Sequence, residues 1–196
     1  MRLSGSNIHC ERGGRTVFRS VSFALSSGQL LQLTGPNGSG KSSLLRLIAG
    51  LGEAVLQLEG GHPELTIGQQ AHLIAHQEAV KPALTVAENL SFWAAFLGGE
   101  SMAAALAAFD LERLAGFPAA LLSAGQKRRL ALARLVAVPR AIWLLDEPTV
   151  GLDAASLRRL EGVMDGHLAQ GGMILAATHV PLGREPDVRL ELGASS

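Results

Sequence analysis

Gly35-Pro36-Asn37-Gly38-Ser39-Gly40-Lys41-Ser42 fits the pattern G-x-x-x-x-G-K-[ST] at every position. Each residue type there has a chemical reason. Glycines let the chain curl tightly enough for successive backbone N–H groups to converge on phosphate oxygens. Lys41 can carry an ammonium to the β- and γ-phosphates of a nucleotide, and the Ser42 hydroxyl can ligate Mg²⁺. The flanks match. The apolar run Leu30-Leu31-Gln32-Leu33 predicts a strand leading in, and residues 41–49 predict an amphipathic helix closed by Gly50. Such a helix aims its free N–H groups and the positive end of its dipole at the phosphates. The eight residues and the adjoining Ser43 are the predicted ATP contacts.

Working outward, 196 residues fit a single α/β domain able to bury a core. Apolar residues make up 47% of the chain but come in short runs. None approaches the length of about 20 needed to span a bilayer. Residues 1–6 hold no apolar h-region, so no secretory signal is predicted, and any membrane link is expected to come through a partner. Seventeen basic and seventeen acidic residues cancel, without the basic excess that marks nucleic-acid binding. The single cysteine, Cys10, excludes an internal disulfide and a multi-cysteine zinc module, and reads as a small apolar filler.

Before the loop, Ile8-His9-Cys10, Thr16-Val17-Phe18 and Val21-Ser22-Phe23-Ala24-Leu25 predict an antiparallel β edge. A second short pair, Val55-Leu56-Gln57-Leu58 and Leu65-Thr66-Ile67, is expected around the turn at residues 60–63. Residues 79–121 are Ala- and Leu-rich and predict a helical subdomain inserted into the domain, with helices near 87–93 and 102–109. Buried parallel strands then return. Residues 141–145 and 173–177 are continuous apolar runs, as expected where both faces of a sheet are covered. Leu157, Leu160, Met164 and Leu168 recur at helical spacing between them, and residues 188–192 predict a last edge strand.

The first of those apolar runs ends in Asp146-Glu147. At the carboxyl edge of a parallel sheet, where α/β proteins place ligands, Asp146 can hold Mg²⁺ and Glu147 can accept a proton from an attacking water. Upstream, Ser123 and Gln126 form a capping box opening a helix over residues 127–138, a second helix start with free N–H groups.

Leu122-Ser123-Ala124-Gly125-Gln126 also resembles the LSGGQ signature of ATP-binding cassette (ABC) ATPases, with Ala124 in place of a glycine. The resemblance implies a mixed sheet with a parallel core, an antiparallel β edge and an α-helical subdomain. It also implies a self-dimer in which Ser123, Ala124, Gly125 and Gln126 of one chain close over the ATP on the P-loop of the other. Three further positions match. Gln77 corresponds to the Q-loop glutamine, a Mg²⁺ ligand that reports the γ-phosphate to the helical insert. Asp153, in Val150-Gly151-Leu152-Asp153, corresponds to the D-loop and also suits a helix N-cap. His179 corresponds to the switch histidine at the γ-phosphate, and the other five histidines are left structural or solvated. The aromatic residue on which such proteins stack adenine is missing. Arg12 is the nearest positional match, since a guanidinium plane can stack on a base, and Phe18 is its rival.

The finer wording is similar to one branch of that family. Cys10-Glu11-Arg12, Arg15-Thr16-Val17-Phe18, Leu84-Thr85-Val86-Ala87-Glu88-Asn89-Leu90, the alanine-bearing signature followed by Arg128-Arg129, and Thr178-His179-Val180-Pro181-Leu182 look like the ATP-binding subunit of the haem exporter of bacterial cytochrome c maturation. That resemblance implies separately encoded membrane-spanning subunits and a peripheral location on the cytoplasmic face of the inner membrane. A haem chaperone would be reached only indirectly. With one cysteine the chain cannot carry a C-x-x-C-H haem attachment, so cargo would lie with the partners. The ATPase of another small exporter, for lipids or peptides, is the alternative. A soluble DNA- or ribosome-remodelling ATPase would be expected to show a basic face, zinc cysteines or a coiled-coil insert, none of which the sequence contains.

Overall fold

The computed structural model describes residues 1–99 and 102–193. Its first layer is an antiparallel sheet. Strand β1 (Arg2–Arg12) pairs with β2 (Arg15–Ser26) across the Gly13-Gly14 turn, where both glycines have positive φ, and on its other side with β4 (Leu56–Glu59). β1 buries Leu3, Ile8 and Cys10 on one face, and the register against β2 shifts between Gly5 and Ile8, where Asn7 takes φ 50°. The predicted edge is therefore longer and bulged, as strands that must curve over a core often are.

The second layer is a five-stranded parallel sheet in the order β5-β6-β7-β3-β8. Its strands are β3 (Leu30–Thr34), β5 (Ala71–Ile74), β6 (Ile142–Asp146), β7 (Met173–Ala177) and β8 (Val188–Glu191). Every residue of β6 and β7 is buried, as their unbroken apolar runs predict. Alternation along them divides the core in two. Ile142, Leu144, Met173 and Leu175 face α1 (Lys41–Ile48) and the antiparallel sheet, so α1 lies between the two sheets. Trp143, Leu145, Ile174 and Ala176 face the opposite side, toward α4 (Ala124–Ala137) and α5 (Ala154–Ala169).

Between β5 and β6 lie α2 (Val86–Leu97), α3 (Met102–Ala108) and α4, packed on one another around Leu90, Ala105, Phe109 and Leu130. Helix α2 opens on a capping box, with Thr85 Oγ1 accepting from Glu88 N–H and the Glu88 carboxylate accepting from Thr85 N–H.

The expected strand at Leu65-Thr66-Ile67 does not form. β4 pairs with β1, while residues 62–70 make a loop and a short 3₁₀ turn organised by the buried Gln70 side chain. Gln70 accepts from His62 N–H at 2.7 Å and donates to the Leu65 carbonyl at 2.9 Å. A side chain that satisfies this much backbone removes the need for a sheet partner. No helix among the described residues is long and apolar enough to cross a membrane.

Candidate nucleotide site

All five core strands point their carboxyl ends the same way, which gathers segments distant in sequence along one edge. After β3 the P-loop turns into α1 through Gly40, which holds φ 98°, ψ 13° as the N-cap. A Cβ on Gly40 would sit 2.6 Å from both Val17 Cγ1 and Phe18 Cδ1, so close packing and backbone conformation each require glycine. The buried Lys41 bends back over the loop, its Nζ donating to the carbonyls of Gly35 at 2.6 Å and Pro36 at 3.1 Å. Ser39 Oγ is buried with no hydrogen-bond partner, a donor left over within the loop.

Asn37, Gly38, Gly40, Lys41, Ser42 and Ser43 line one wall of a cavity of about 380 Å³. Asp146 and Glu147, from the end of β6, line the same cavity. Asp146 is 5% exposed, and Glu147 takes φ 47°, a left-handed conformation uncommon outside glycine. Its N–H donates to the Ala177 carbonyl at 2.8 Å, fixing the end of β6 to the end of β7. Ser42 and Asp146 supply hard oxygen donors of the kind Mg²⁺ takes alongside substrate phosphates. Among the described residues no group of three or more His, Cys, Asp or Glu side chains could cage a metal without them.

The remaining sequence candidates do not all reach this cavity. Arg12, at the tip of β1, lines this cavity and also borders a neighbouring one of about 410 Å³ between β1 and α1. Phe18, its rival, is 7% exposed and packs into the core against Gly40, so it presents no face to a base. On the β5 side it is His76 that lines the cavity, while Gln77 is exposed and outside that lining. The sequence alone assigns His76 no role. Its one signal was adjacency to Gln77.

His179 follows β7, is exposed, and borders a separate cleft of about 210 Å³ with Gln32 and Arg184. The signature also stands apart. Ser123 Oγ accepts from Gln126 N–H at 3.2 Å and Gln126 Oε1 accepts from Ser123 N–H at 2.8 Å, so the predicted capping box is present and α4 begins at Ala124. Ser123 and Ala124 are exposed, and residues 123–126 do not line the P-loop cavity. Gly125 packs toward the Gly151 carbonyl, which a Cβ would approach to 2.9 Å, placing the signature beside the segment that ends in Asp153. Asp153 caps α5, accepting from Ser156 N–H at 2.8 Å, and that bond holds its carboxyl below the usual range.

A P-loop facing an Asp-Glu strand end, with a capped signature helix on the same chain, defines an ABC-type ATPase. The family profile of the ABC transporter matches residues 18–150, and the chain belongs to that family. Two solved structures share the fold. An ATP-binding subunit of an ABC transporter superposes at a TM-score of 0.86 with 24% identity, over 98% of this chain and 86% of that one. A dimeric ATP-binding cassette in a post-hydrolysis state, bound to ADP and Pi, superposes at 0.82 with 24% identity, over 98% and 94%.

Sequence relatives narrow the placement. A cytochrome c biogenesis ATP-binding export protein CcmA of Nitrobacter winogradskyi is 57% identical over 188 residues, 93% of this chain and 94% of its own. The proteins of that name from Bradyrhizobium diazoefficiens and Brucella abortus are 55% and 50% identical, again over 93% of this chain and over 94% and 87% of their own lengths. Within the ABC transporters, the chain belongs with the cytochrome c biogenesis ATP-binding export proteins.

Proposed function

We propose that this ATPase is the energy-coupling subunit of an export complex for cytochrome c biogenesis. It would couple ATP hydrolysis to haem export or to release of a haem-loaded chaperone. The observation that carries the chemistry is the sharing of one cavity by Lys41, Ser42, Asp146 and Glu147. The P-loop N–H groups and Lys41 take the β- and γ-phosphates, exchanging the Gly35 and Pro36 carbonyls for phosphate oxygens. Ser39 Oγ is a further donor to them. Ser42 and Asp146 would hold Mg²⁺, which when bound offsets phosphate charge, with Gln77 assigned as a further ligand. Glu147 orients the attacking water and takes its proton.

A single chain leaves this arrangement open on the side where a second phosphate-binding helix start would close it. Ser123 and Ala124 are exposed, Gly125 and Gln126 half-buried, and none of the four lines their own chain's cavity, so we assign them to the nucleotide of a second copy. Asp153 lies beside that junction, and His179 reaches the γ-phosphate on closure. Arg12 stacks on adenine. The names of the 50–57% identical relatives favour cytochrome c biogenesis over a lipid or peptide exporter. Membrane-spanning partner subunits, and a peripheral place for this chain on the cytoplasmic face of the inner membrane, follow from that reading.

Glu147→Gln tests it. The amide cannot accept the proton, so ATP should still bind while turnover falls about 100-fold or more. Size-exclusion chromatography with ATP should show a nucleotide-loaded dimer. Wild-type turnover in the variant, with monomer only, would reject both base and sandwich.

A further inference from the structure

Arg128 lies in the second turn of α4, two residues beyond the signature glutamine, and is only 3% exposed. Its guanidinium has no carboxylate within ion-pair distance among the described residues. Instead it donates to four backbone carbonyls. Nη2 reaches Glu147 O at 2.6 Å and Asp146 O at 2.9 Å, Nε reaches Pro148 O at 3.4 Å, and Nη1 reaches Ala75 O at 3.0 Å. Two of these carbonyls belong to the peptide units on either side of the Glu147 Cα, where the backbone is left-handed. Ala75 immediately precedes His76 on the opposite wall of the cavity.

A backbone held at φ 47° persists only where its surroundings over-determine it. Here the Glu147 N–H is fixed by Ala177 and its carbonyl by Arg128. Desolvation lowers the Arg128 pKa from its ordinary value, yet it stays protonated at neutral pH. Burying a cation costs stability unless its donors are satisfied, so a guanidinium retained here against carbonyls alone points to a geometric task.

We propose that Arg128 is a positioning residue for the hydrolytic step. It holds Glu147 at the angle from which the carboxylate meets the attacking water, and makes that angle depend on how the signature helix is docked. The inference rests on the reading of Glu147 as the base. Because the signature of each copy serves the other copy's nucleotide in the proposed dimer, a shift of α4 at one site is transmitted to the base at the other.

The test is a double-mutant cycle in the full-length chain, comparing wild type, Arg128→Gln, Glu147→Gln and the pair, with Arg128→Lys as the conservative variant. ATP affinity is read by fluorescent-nucleotide titration, hydrolysis by single-turnover assay. Arg128→Gln should slow hydrolysis about 10- to 100-fold, as expected for a reacting group misplaced by about 1 Å, with the ATP Kd within about twofold. Arg128→Lys, which keeps the charge and can serve one or two of the carbonyls, should recover part of the rate. In the Glu147→Gln background the Arg128 change should cost less than about twofold, since a residue acting through Glu147 has nothing left to act on. An equal loss in both backgrounds, or unchanged hydrolysis in Arg128→Gln, overturns the proposal. Equal rates for wild type and Glu147→Gln overturn the assignment of the base, a different result from either. Should Arg128→Gln not fold, Arg128→Lys carried through the same cycle decides by the same non-additivity.

Discussion

Lys41, Asp146 and Glu147 are legible in the sequence because each sits beside a local rule, a glycine-rich turn or the end of an apolar run, that fixes what its backbone does. The base contact has no such rule. The sequence offers both Arg12 and Phe18, and burial of Phe18 against Gly40 leaves Arg12 as the candidate. Arg12→Ala should weaken ATP binding about two- to fivefold, the range for an exposed cation–π contact, and leave inorganic triphosphate binding unchanged. Isothermal titration with both ligands measures it, and equal losses would move the base elsewhere. Arg128 is harder still. Nothing in the local sequence announces four carbonyl acceptors.

At the scale of elements, β5 and α4 are tied by His72, whose Nε2 lies 2.6 Å from the Val138 carbonyl. A carbonyl only accepts, so Nε2 carries the proton of the neutral ring. Burial pushes the His72 pKa from 6.5 down to about 4, against the smaller raising effect of the Val138 bond, with Arg134, Arg140 and His167 adding repulsion. His167, stacked on Trp143 at 3.7 Å, is likewise pushed down by burial to about 4. The unfolded chain therefore binds more protons than the folded one between pH 6.5 and 4. Stability from each histidine is complete above about pH 6.5 and is lost as pH falls toward 4, a loss of about 3 kcal/mol for the more buried His72. Urea unfolding across that range should show the decline, and His72→Gln should flatten it relative to wild type. Identical slopes would remove His72 from the account.

For the whole molecule, the chain holds an ATP cavity and a signature that do not meet within one copy, and no helix among the described residues could carry cargo through a bilayer. On the function proposed above, its work passes through other chains. Deleting the gene in its host should leave apocytochrome c without covalent haem and let the haem-loaded chaperone accumulate. A Glu147→Gln copy should fail to restore it where the wild-type copy succeeds. Absorbance of c-type cytochromes in membranes reads the outcome, and normal levels in the deletion strain would assign the ATPase to another exporter.

The P-loop with its strand and helix, the buried runs of β6 and β7, the Asp-Glu strand end and the capping box at Ser123 are all written in the local sequence. These depend on periodicity and turn chemistry within a few residues. Nothing local says that residues 65–67 are held by Gln70 rather than paired, or that His76 rather than Gln77 lines the cavity. Nor does the local sequence show that Arg128 joins Ala75, 53 residues before it, to Glu147, 19 residues after it. The first is a side chain competing with a sheet partner for the backbone; the other two depend on which strands lie side by side in a parallel sheet. Every such pairing needs a crossover connection, so neighbours in space are set by the packing of the whole core and not by neighbours in the chain.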